Sequence, residues 1–350
     1  MLQLINNTSF CAEKAALVGP DGDQFWVVIV KATYLLNEDG SVDPHPEPEP
    51  VCLSPRYSGE AGKSSLLREG EMVFDHPGTD ITLLATARAP HEIPVRSLNV
   101  TVSVGSTTQT LRIFGERFWQ KGVFGFSMTE PEPFTVQPIM YEQAYGGTNI
   151  VAEETGQQEK DSRNPIGRGF ASSANTLIGK PLPNIEDPHH LIRSWNDRPQ
   201  PAGFGPIPPM WSPRLEYAGT FDDRWRNQRM PLWPEDYDPR QTQAAHPSLV
   251  SEQPFRGGEQ VILTNLTVGS EFRFRLPHPY LVFTTFTRTR RFLQKVRLDR
   301  VIIEPDAQKL VMVWRSSLNC GARVRDILQT VLDQKPLRPK GVQKEAGSGL

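Results

Sequence analysis

The sequence has 350 residues, 37% of them hydrophobic, so it can bury one large core or two modest ones. Its 38 basic and 40 acidic residues nearly balance, which excludes a global field that would draw the chain to nucleic acid or to an anionic membrane. No apolar run reaches the roughly 18 residues of a membrane span, and the N-terminus lacks the build of a signal peptide. We therefore expect a cytoplasmic protein that does not bind membranes or nucleic acid.

Proline is over-represented, with 32 residues where a usual content of ~5% would give about half as many. Proline disfavours long helices and the centres of sheets. The composition therefore predicts a mainly β protein with much ordered, irregular chain.

Residues 1–135 form the predicted N-terminal β region. The run at 25–36 is apolar and rich in β-branched residues, which predicts a buried strand. Residues 80–89 are predicted to form a second strand. Residues 97–114 alternate apolar and polar side chains on both sides of a turn at Gly105–Ser106, which predicts a hairpin.

Residues 136–255 have a different composition. Fourteen of the 32 prolines and four of the seven tryptophans fall between 181 and 254. Such chain has little repetitive hydrogen bonding, but its aromatic residues are too many to remain in water. We interpret 136–255 as an ordered loop segment, the belt, which wraps over the sheets.

Residues 256–335 return to strand patterns and include a predicted hairpin that turns at 306–308. A helix is predicted at 322–333, because Val324, Ile327, Leu328 and Val331 would share one face. Residues 336–350 are predicted to be a flexible tail.

The predicted fold class is mainly β. We expect two antiparallel, sandwich-like sheet regions bridged by the Pro/Trp-rich belt, with one C-terminal helix.

The sequence contains no recognisable catalytic, phosphate-binding or metal-binding motif, so we expect no enzyme, no cofactor, no small-molecule substrate and no metal. One alternative is a hydrolase that uses paired carboxylates in the belt. Its candidate residues would be Asp222, Asp223, Glu235 and Asp236.

A second alternative rests on the basic segment 288–300, which resembles a polyanion-binding cluster. Against nucleic acid stand the balanced net charge and the lack of an aromatic stacking platform. A solvated β face, or a docking surface for an acidic protein, is the preferred interpretation.

Two glycine knots, 144–149 and 163–170, open the belt. Neither follows a strand and begins a helix, as a phosphate loop would. We interpret them as tight turns that fix the belt to the core. The structural residues of this motif are Gly146, Gly147, Asn164, Pro165, Gly167 and Gly169.

The chain also resembles a known family, through seven ordered sequence blocks, six of which lie in the belt. The blocks are AYGGTN, RNPIGRGF, LPNIEDP, RPQPAGFGPIPPMWSPR, YAGTFDDRW, RMPLWPEDYD and LTNLTVGSEFRFRLP, all between 144 and 277. They are similar to a bacterial family of formerly unknown function whose genes accompany type VI secretion spike and toxin genes.

The resemblance implies a cytoplasmic adaptor or chaperone that binds a toxic effector and helps to load it onto the VgrG spike or its PAAR tip. It brings no catalytic residues. Partner contacts in such an adaptor would come from aromatic and arginine anchors. The candidate partner-binding residues are Tyr145, Arg168, Phe170, Arg214, Trp225, Arg288, Arg290 and Arg291.

Overall fold

The computed structural model describes residues 2–122, 125–152 and 156–335. Within these ranges the chain forms 26 β-strands, one α-helix and eight 3₁₀ turns, which confirms the mainly β class. The predicted tail at 336–350 lies outside the described residues.

The first twelve strands lie before residue 129. They are β1 (Gln3–Asn6), β2 (Cys11–Val18), β3 (Gln24–Leu36), β4 (Val42–Pro44), β5 (Arg56–Tyr57), β6 (Leu66–Arg68), β7 (Thr79–Leu83), β8 (Thr86–Arg88), β9 (Ser97–Val104), β10 (Thr107–Phe114), β11 (Trp119–Gly122) and β12 (Gly125–Met128).

The middle of the chain has only short elements. They are β13 (Val136–Pro138), β14 (Tyr145–Gly146), β15 (Thr148–Ala152), β16 (Gln157–Lys160), β17 (Arg168–Gly169), β18 (Ile185–Glu186), α1 (Asp223–Gln228) and β19 (Val250–Ser251).

The last seven strands carry the chain to residue 335. They are β20 (Gln260–Thr264), β21 (Glu271–Arg275), β22 (Tyr280–Thr287), β23 (Arg291–Gln294), β24 (Arg297–Glu304), β25 (Lys309–Gly321) and β26 (Ile327–Lys335).

The 3₁₀ turns connect these strands, and four of them begin at a proline. They are Pro90–Glu92, Tyr141–Gln143, Ala174–Leu177, Arg214–Ala218, Pro239–Thr242, Pro247–Leu249, Pro305–Ala307 and Val324–Asp326.

Three sheets build the body. The seven-stranded sheet has the order β19-β7-β24-β25-β3-β2, with β4 also paired to β3. The five-stranded sheet has the order β18-β10-β9-β20-β21, and the four-stranded sheet the order β1-β26-β22-β23. Most pairs are antiparallel, but β7 with β24 and β1 with β26 are parallel.

This arrangement corrects the expected division into two sheet regions. All three large sheets draw strands from both ends of the chain: β3 pairs with β25, β9 with β20, and β1 with β26. The predicted N-terminal and C-terminal β regions are therefore interleaved, because the long-range partners of each strand lie on the far side of the belt.

Strand β3 is covered on both faces. On one face, Trp26 and Val28 pack in a cluster with side chains of the four-stranded sheet, and Tyr34 packs in the core shared with the five-stranded sheet. On the other face, Val27 and Ile29 pack with residues such as Val51 and Phe74. A strand that is buried on both faces is read in the sequence as a continuous apolar run, as this one is.

The predicted helix at 322–333 is wrong. A 3₁₀ turn at Val324–Asp326 is followed by β26, which lies between β1 and β22. In the strand, Ile327, Thr330 and Leu332 are buried. Pairing with two distant strands outweighs the local helical spacing, since helix propensity is a weak preference.

Candidate functional site

The two glycine knots come together in the structure. Strands β14 and β17 form a short parallel pair that sets Tyr145 beside Arg168 and Gly146 beside Gly169. The Gly147 N–H donates to the Asn164 carbonyl at 2.8 Å. The knots therefore hold each other through the backbone.

Asn164 occupies the centre of this contact and is fully buried. Its amide Nδ2 donates to the carbonyls of Tyr141 (2.8 Å) and Tyr145 (3.0 Å). Gly146 has φ +142°, and a Cβ there would lie 2.1 Å from the Asn164 carbonyl oxygen. These glycines are needed because backbone packs directly against backbone, where a Cβ would not fit.

The three anchor candidates beside the knots differ in exposure. Tyr145 is 2% exposed and lies in a buried cluster with Trp119 and Leu182. Arg168 is half-buried; its Nε donates to the Glu142 carbonyl at 3.2 Å. Phe170 packs against the same cluster as Tyr145. Their contacts are mainly internal.

Arg214 is also internal. It is 4% exposed, pairs with Glu69, and donates to the carbonyls of Ile207 (2.5 Å) and Gln241 (3.0 Å). Trp225, in α1, is half-buried and donates its indole N–H to the Leu232 carbonyl at 2.9 Å.

The belt carboxylates each have a local partner. Asp222 caps α1 by accepting from the Trp225 N–H, and Asp223 pairs with Arg226 at 2.9 Å. Glu235 pairs with Arg224 at 3.3 Å.

Asp236 accepts two hydrogen bonds from Thr220, and these bonds hold its pKa below the usual value. Asp222, Glu235 and Asp236 line one cleft of about 290 Å³. A hydrolase pair would need one carboxyl with a raised pKa, whereas the pKa of Asp236 is lowered.

The arginines near residue 290 are arranged differently. Arg288 and Arg290 lie in the turn of the β22–β23 hairpin, and Arg291 begins β23. All three are exposed, as is Lys295. Among the described residues, no carboxylate lies within 4 Å of these four cations.

The basic side chains of segment 288–300 fall into two groups, one exposed to solvent and one directed into the fold. Arg297 pairs with Asp75, and Arg300 is 4% exposed and donates to the Gly70 carbonyl at 3.1 Å. Its last two arginines therefore stabilise the fold. The four exposed cations define the surface that we call the basic hairpin: Arg288, Arg290, Arg291 and Lys295.

The basic hairpin also offers a strand edge, because β23 is the last strand of its sheet. The Thr287 N–H donates to the Arg290 carbonyl at 2.8 Å. This bond shows which residue pairs of β22 and β23 are hydrogen-bonded and which are not. The N–H and C=O groups of Arg291 and Leu293 consequently point away from β22. Leu293 is 75% exposed beside them.

Comparison with known proteins identifies a family. A family model described as "Uncharacterized protein conserved in bacteria (DUF2169)" matches residues 21–315. The chain belongs to this family. No curated protein and no solved structure matches it.

The region that matches the DUF2169 model contains a cleft that the sequence patterns did not predict. It has a volume of about 740 Å³ and lies along β10. Gln109, Tyr141 and His246 line it, and burial lowers the pKa of His246 to about 4. The available sequence signal was Gln109, a polar residue at an inward position of a strand whose other inward positions are Leu111 and Ile113.

Two further observations concern only the described part of this DUF2169 chain. Within it, no three His, Cys, Asp or Glu side chains are grouped as they would be around a metal ion. None of its helices has the length and apolar character that crossing a membrane requires.

Proposed function

We propose that this protein is a non-enzymatic adaptor or chaperone that binds a type VI secretion effector by protein–protein contact and helps to load it onto the VgrG/PAAR spike. The proposal joins the resemblance of the seven sequence blocks to one structural observation, the basic hairpin. We further propose that the interleaved sheets act as a sandwich-like scaffold braced by the belt, and that the adaptor works in the cytoplasm.

The basic hairpin supports a protein partner in two ways. Its exposed guanidinium groups have no internal carboxylate within reach in the described structure, so they remain available for acidic side chains. The free edge of β23 can add an extended segment by backbone hydrogen bonding, and Leu293 gives that segment an apolar contact. The partner that fits is an acidic, extended segment of the effector or of the spike.

Affinity purification of the tagged chain from its native host, with secretion active, tests the proposal. We expect an effector or a VgrG or PAAR protein to be retained. A triple variant, Arg288→Glu, Arg290→Glu and Arg291→Glu, should reduce retention at least about tenfold, because like charges then face the acidic segment.

The matched control changes three exposed basic residues elsewhere that likewise form no ion pair within the described residues: Lys14→Glu, Arg193→Glu and Arg256→Glu. It alters the net charge by the same amount and should retain the partner. Recovery of neither effector nor spike protein with the unmodified chain would refute the proposal. Equal losses in both triple variants would refute the assignment to the basic hairpin.

Nucleic acid is the alternative partner for the same four cations. It predicts binding to a DNA duplex that falls steeply between about 50 and 200 mM salt. We expect no such binding, because the chain as a whole carries a formal net charge of −2.

A further inference from the structure

The cleft beside β10 contains a second free strand edge, which is uncharged. Strand β10 pairs with β9 through Thr107–Phe114 on one side, but β18 covers only Arg112 and Ile113 on the other. Thr108 and Thr110 therefore lie on an edge that no strand of the described structure occupies. Both residues line the cleft.

The direction of the backbone groups follows from two hydrogen bonds. The Phe114 N–H donates to the Asn184 carbonyl at 2.8 Å, on the side of β18. The Gly105 N–H donates to the Gln260 carbonyl at 2.9 Å. This bond shows which backbone groups of β9 face β20 and, by alternation, which face β10. Even-numbered residues of β10 thus point their N–H and C=O groups outward, and these include Thr108 and Thr110.

A proline explains why the edge stays open. The register of β18 sets Glu186 opposite Arg112, so two residues further on Pro188 would stand opposite Thr110. Proline has no N–H to donate. The chain instead turns away, with the His190 N–H bonded to the Asp187 carbonyl at 3.0 Å.

Two buried polar atoms beside the edge have no partner. Gln109 Oε1 and Tyr141 Oη form no hydrogen bond within the described structure, and their residues are 9% and 3% exposed. A buried polar group without a hydrogen-bond partner destabilises the fold, so a ligand that supplies the partner is favoured. The first atom accepts and the second can donate, so together they match the N–H and C=O of a peptide group.

The lining limits the side chains that the segment can carry. Prolines 201, 213 and 247 with Ala202 and Ile207 form apolar walls. Of the charged groups at the cleft, Arg163 pairs with Asp161 at 2.6 Å, His190 Nδ1 lies 3.1 Å from Asp187, and Glu216 has no ion pair within the described residues. The apolar walls favour small, uncharged side chains, in contrast to the acidic segment that fits the basic hairpin.

We propose that this cleft binds an extended, uncharged peptide segment of a protein client, which pairs as an added strand with the backbone of Thr108 and Thr110. A strand advances about 3.3 Å per residue, so a segment of three or four residues spans the edge. The inference rests on the proposed function only in that the client is a protein; it concerns a different surface and a different chemistry.

An amide-detected NMR titration tests it. The probe is an acetylated, amidated pentapeptide of alternating threonine and valine. We expect saturable shifts of the Thr108 and Thr110 amide signals and slower hydrogen exchange at both. The analogue that is N-methylated at every amide keeps the side chains but cannot pair, so its binding should fall at least about tenfold.

A proline variant supplies the protein-side test. Thr110→Pro removes one outward N–H and no backbone hydrogen bond to β9, although it also removes the 2.9 Å contact between the Thr110 and Thr101 hydroxyls. It should abolish the peptide shifts. Ala16→Pro is the matched control, because Ala16 is exposed on β2, the free outer strand of the seven-stranded sheet. It should leave the shifts unchanged.

Three outcomes would overturn the inference: no saturable shift at millimolar peptide, equal binding of the N-methylated analogue, or unchanged binding by a folded Thr110→Pro variant. The titration uses no effector, so it is independent of the adaptor test. Peptide binding without effector capture would refute only the adaptor proposal, and effector capture without peptide binding would refute only the cleft.

Discussion

The belt and the basic hairpin both contain arginines, but they use them in opposite ways. Arg214 in the belt is buried and bonded to one carboxylate and two carbonyls. Arg288, Arg290 and Arg291 in the hairpin are exposed, and no carboxylate of the described residues lies within salt-bridge distance of them. A basic residue therefore indicates a binding surface only when the fold leaves it unpaired.

The difference arises from the backbone around each group. The belt has few strand ladders, so its carbonyls need other donors, and arginine side chains provide them at Gln241, Glu142 and Ala171. In the hairpin, the backbone groups that face the partner strand are satisfied by the pairing of β22 with β23, without help from arginine side chains. Its arginines are left with no structural task.

The most severe test of the belt is Gly146→Ala. The added Cβ would overlap the Asn164 carbonyl, and the φ of +142° is strained for alanine, so we expect the free energy of unfolding to fall by about 4 kcal/mol or more. Urea denaturation measures it. Gly179→Ala is the control, since Gly179 also has positive φ but open space around its Cβ position; a loss above about 2 kcal/mol there would contradict the packing argument.

The free energies of unfolding of Arg214→Ala and Arg290→Ala compare a buried arginine of the belt directly with an exposed arginine of the basic hairpin. Removing Arg214 leaves Glu69 and two carbonyls without their donor, and we expect a loss of about 3 kcal/mol in the free energy of unfolding. Removing Arg290 should change it by less than about 0.5 kcal/mol. Similar losses at the two positions would remove the distinction between them.

The cleft side of the belt should respond to pH through His246. Burial lowers the pKa of His246 in the folded protein to about 4, whereas the unfolded chain titrates near 6.5. The unfolded state thus binds the proton first. Stability is complete above pH 6.5 and is lost as the pH falls from 6.5 to 4, by about 2 kcal/mol at pH 5.

His246→Asn isolates this contribution. The asparagine Oδ1 can replace the Nδ1 that accepts from the Ser248 N–H, but it does not titrate. Urea unfolding at pH 7 and pH 5 should show a smaller loss in the variant than in the unmodified protein. An equal loss in both proteins would assign the pH dependence to other groups.

The smallest expected effect is at Arg168. It is half-buried and therefore intermediate between the buried, internally bonded arginine of the belt and the exposed arginines of the basic hairpin. Arg168→Ala removes the bond to the Glu142 carbonyl and a weak contact with Glu116 at 3.4 Å, so we expect a loss of about 1 kcal/mol. Thermal unfolding combined with effector capture measures both roles. A stable variant that no longer retains the effector would show that Arg168 contributes to partner binding.

Local patterns predicted those elements whose partners are close in sequence. The hairpin of β9 and β10 turns at Gly105–Ser106 as expected, and β24 and β25 reverse around 306–308. The apolar run at 25–36 is β3. In each case the periodicity and the turn residues lie within one short window.

Features that depend on distant partners were not predictable in this way. The segment 322–333 carries a helical spacing, and only its pairing with β1 and β22 makes it a strand. The open edge at Thr108 and Thr110 likewise depends on where β18 ends, about 75 residues later in the chain. The partner-binding residues stay a prediction until a partner is identified.

The pairing of β3 with β25 has a consequence for biosynthesis. Strand β3 ends at Leu36 and is synthesised long before β25, which ends at Gly321. Until then β3 has no partner on that side, and its β-branched, apolar sequence is of the kind that aggregates when exposed. Nascent chains should therefore require protection of β3 until β25 has been synthesised and can pair with it.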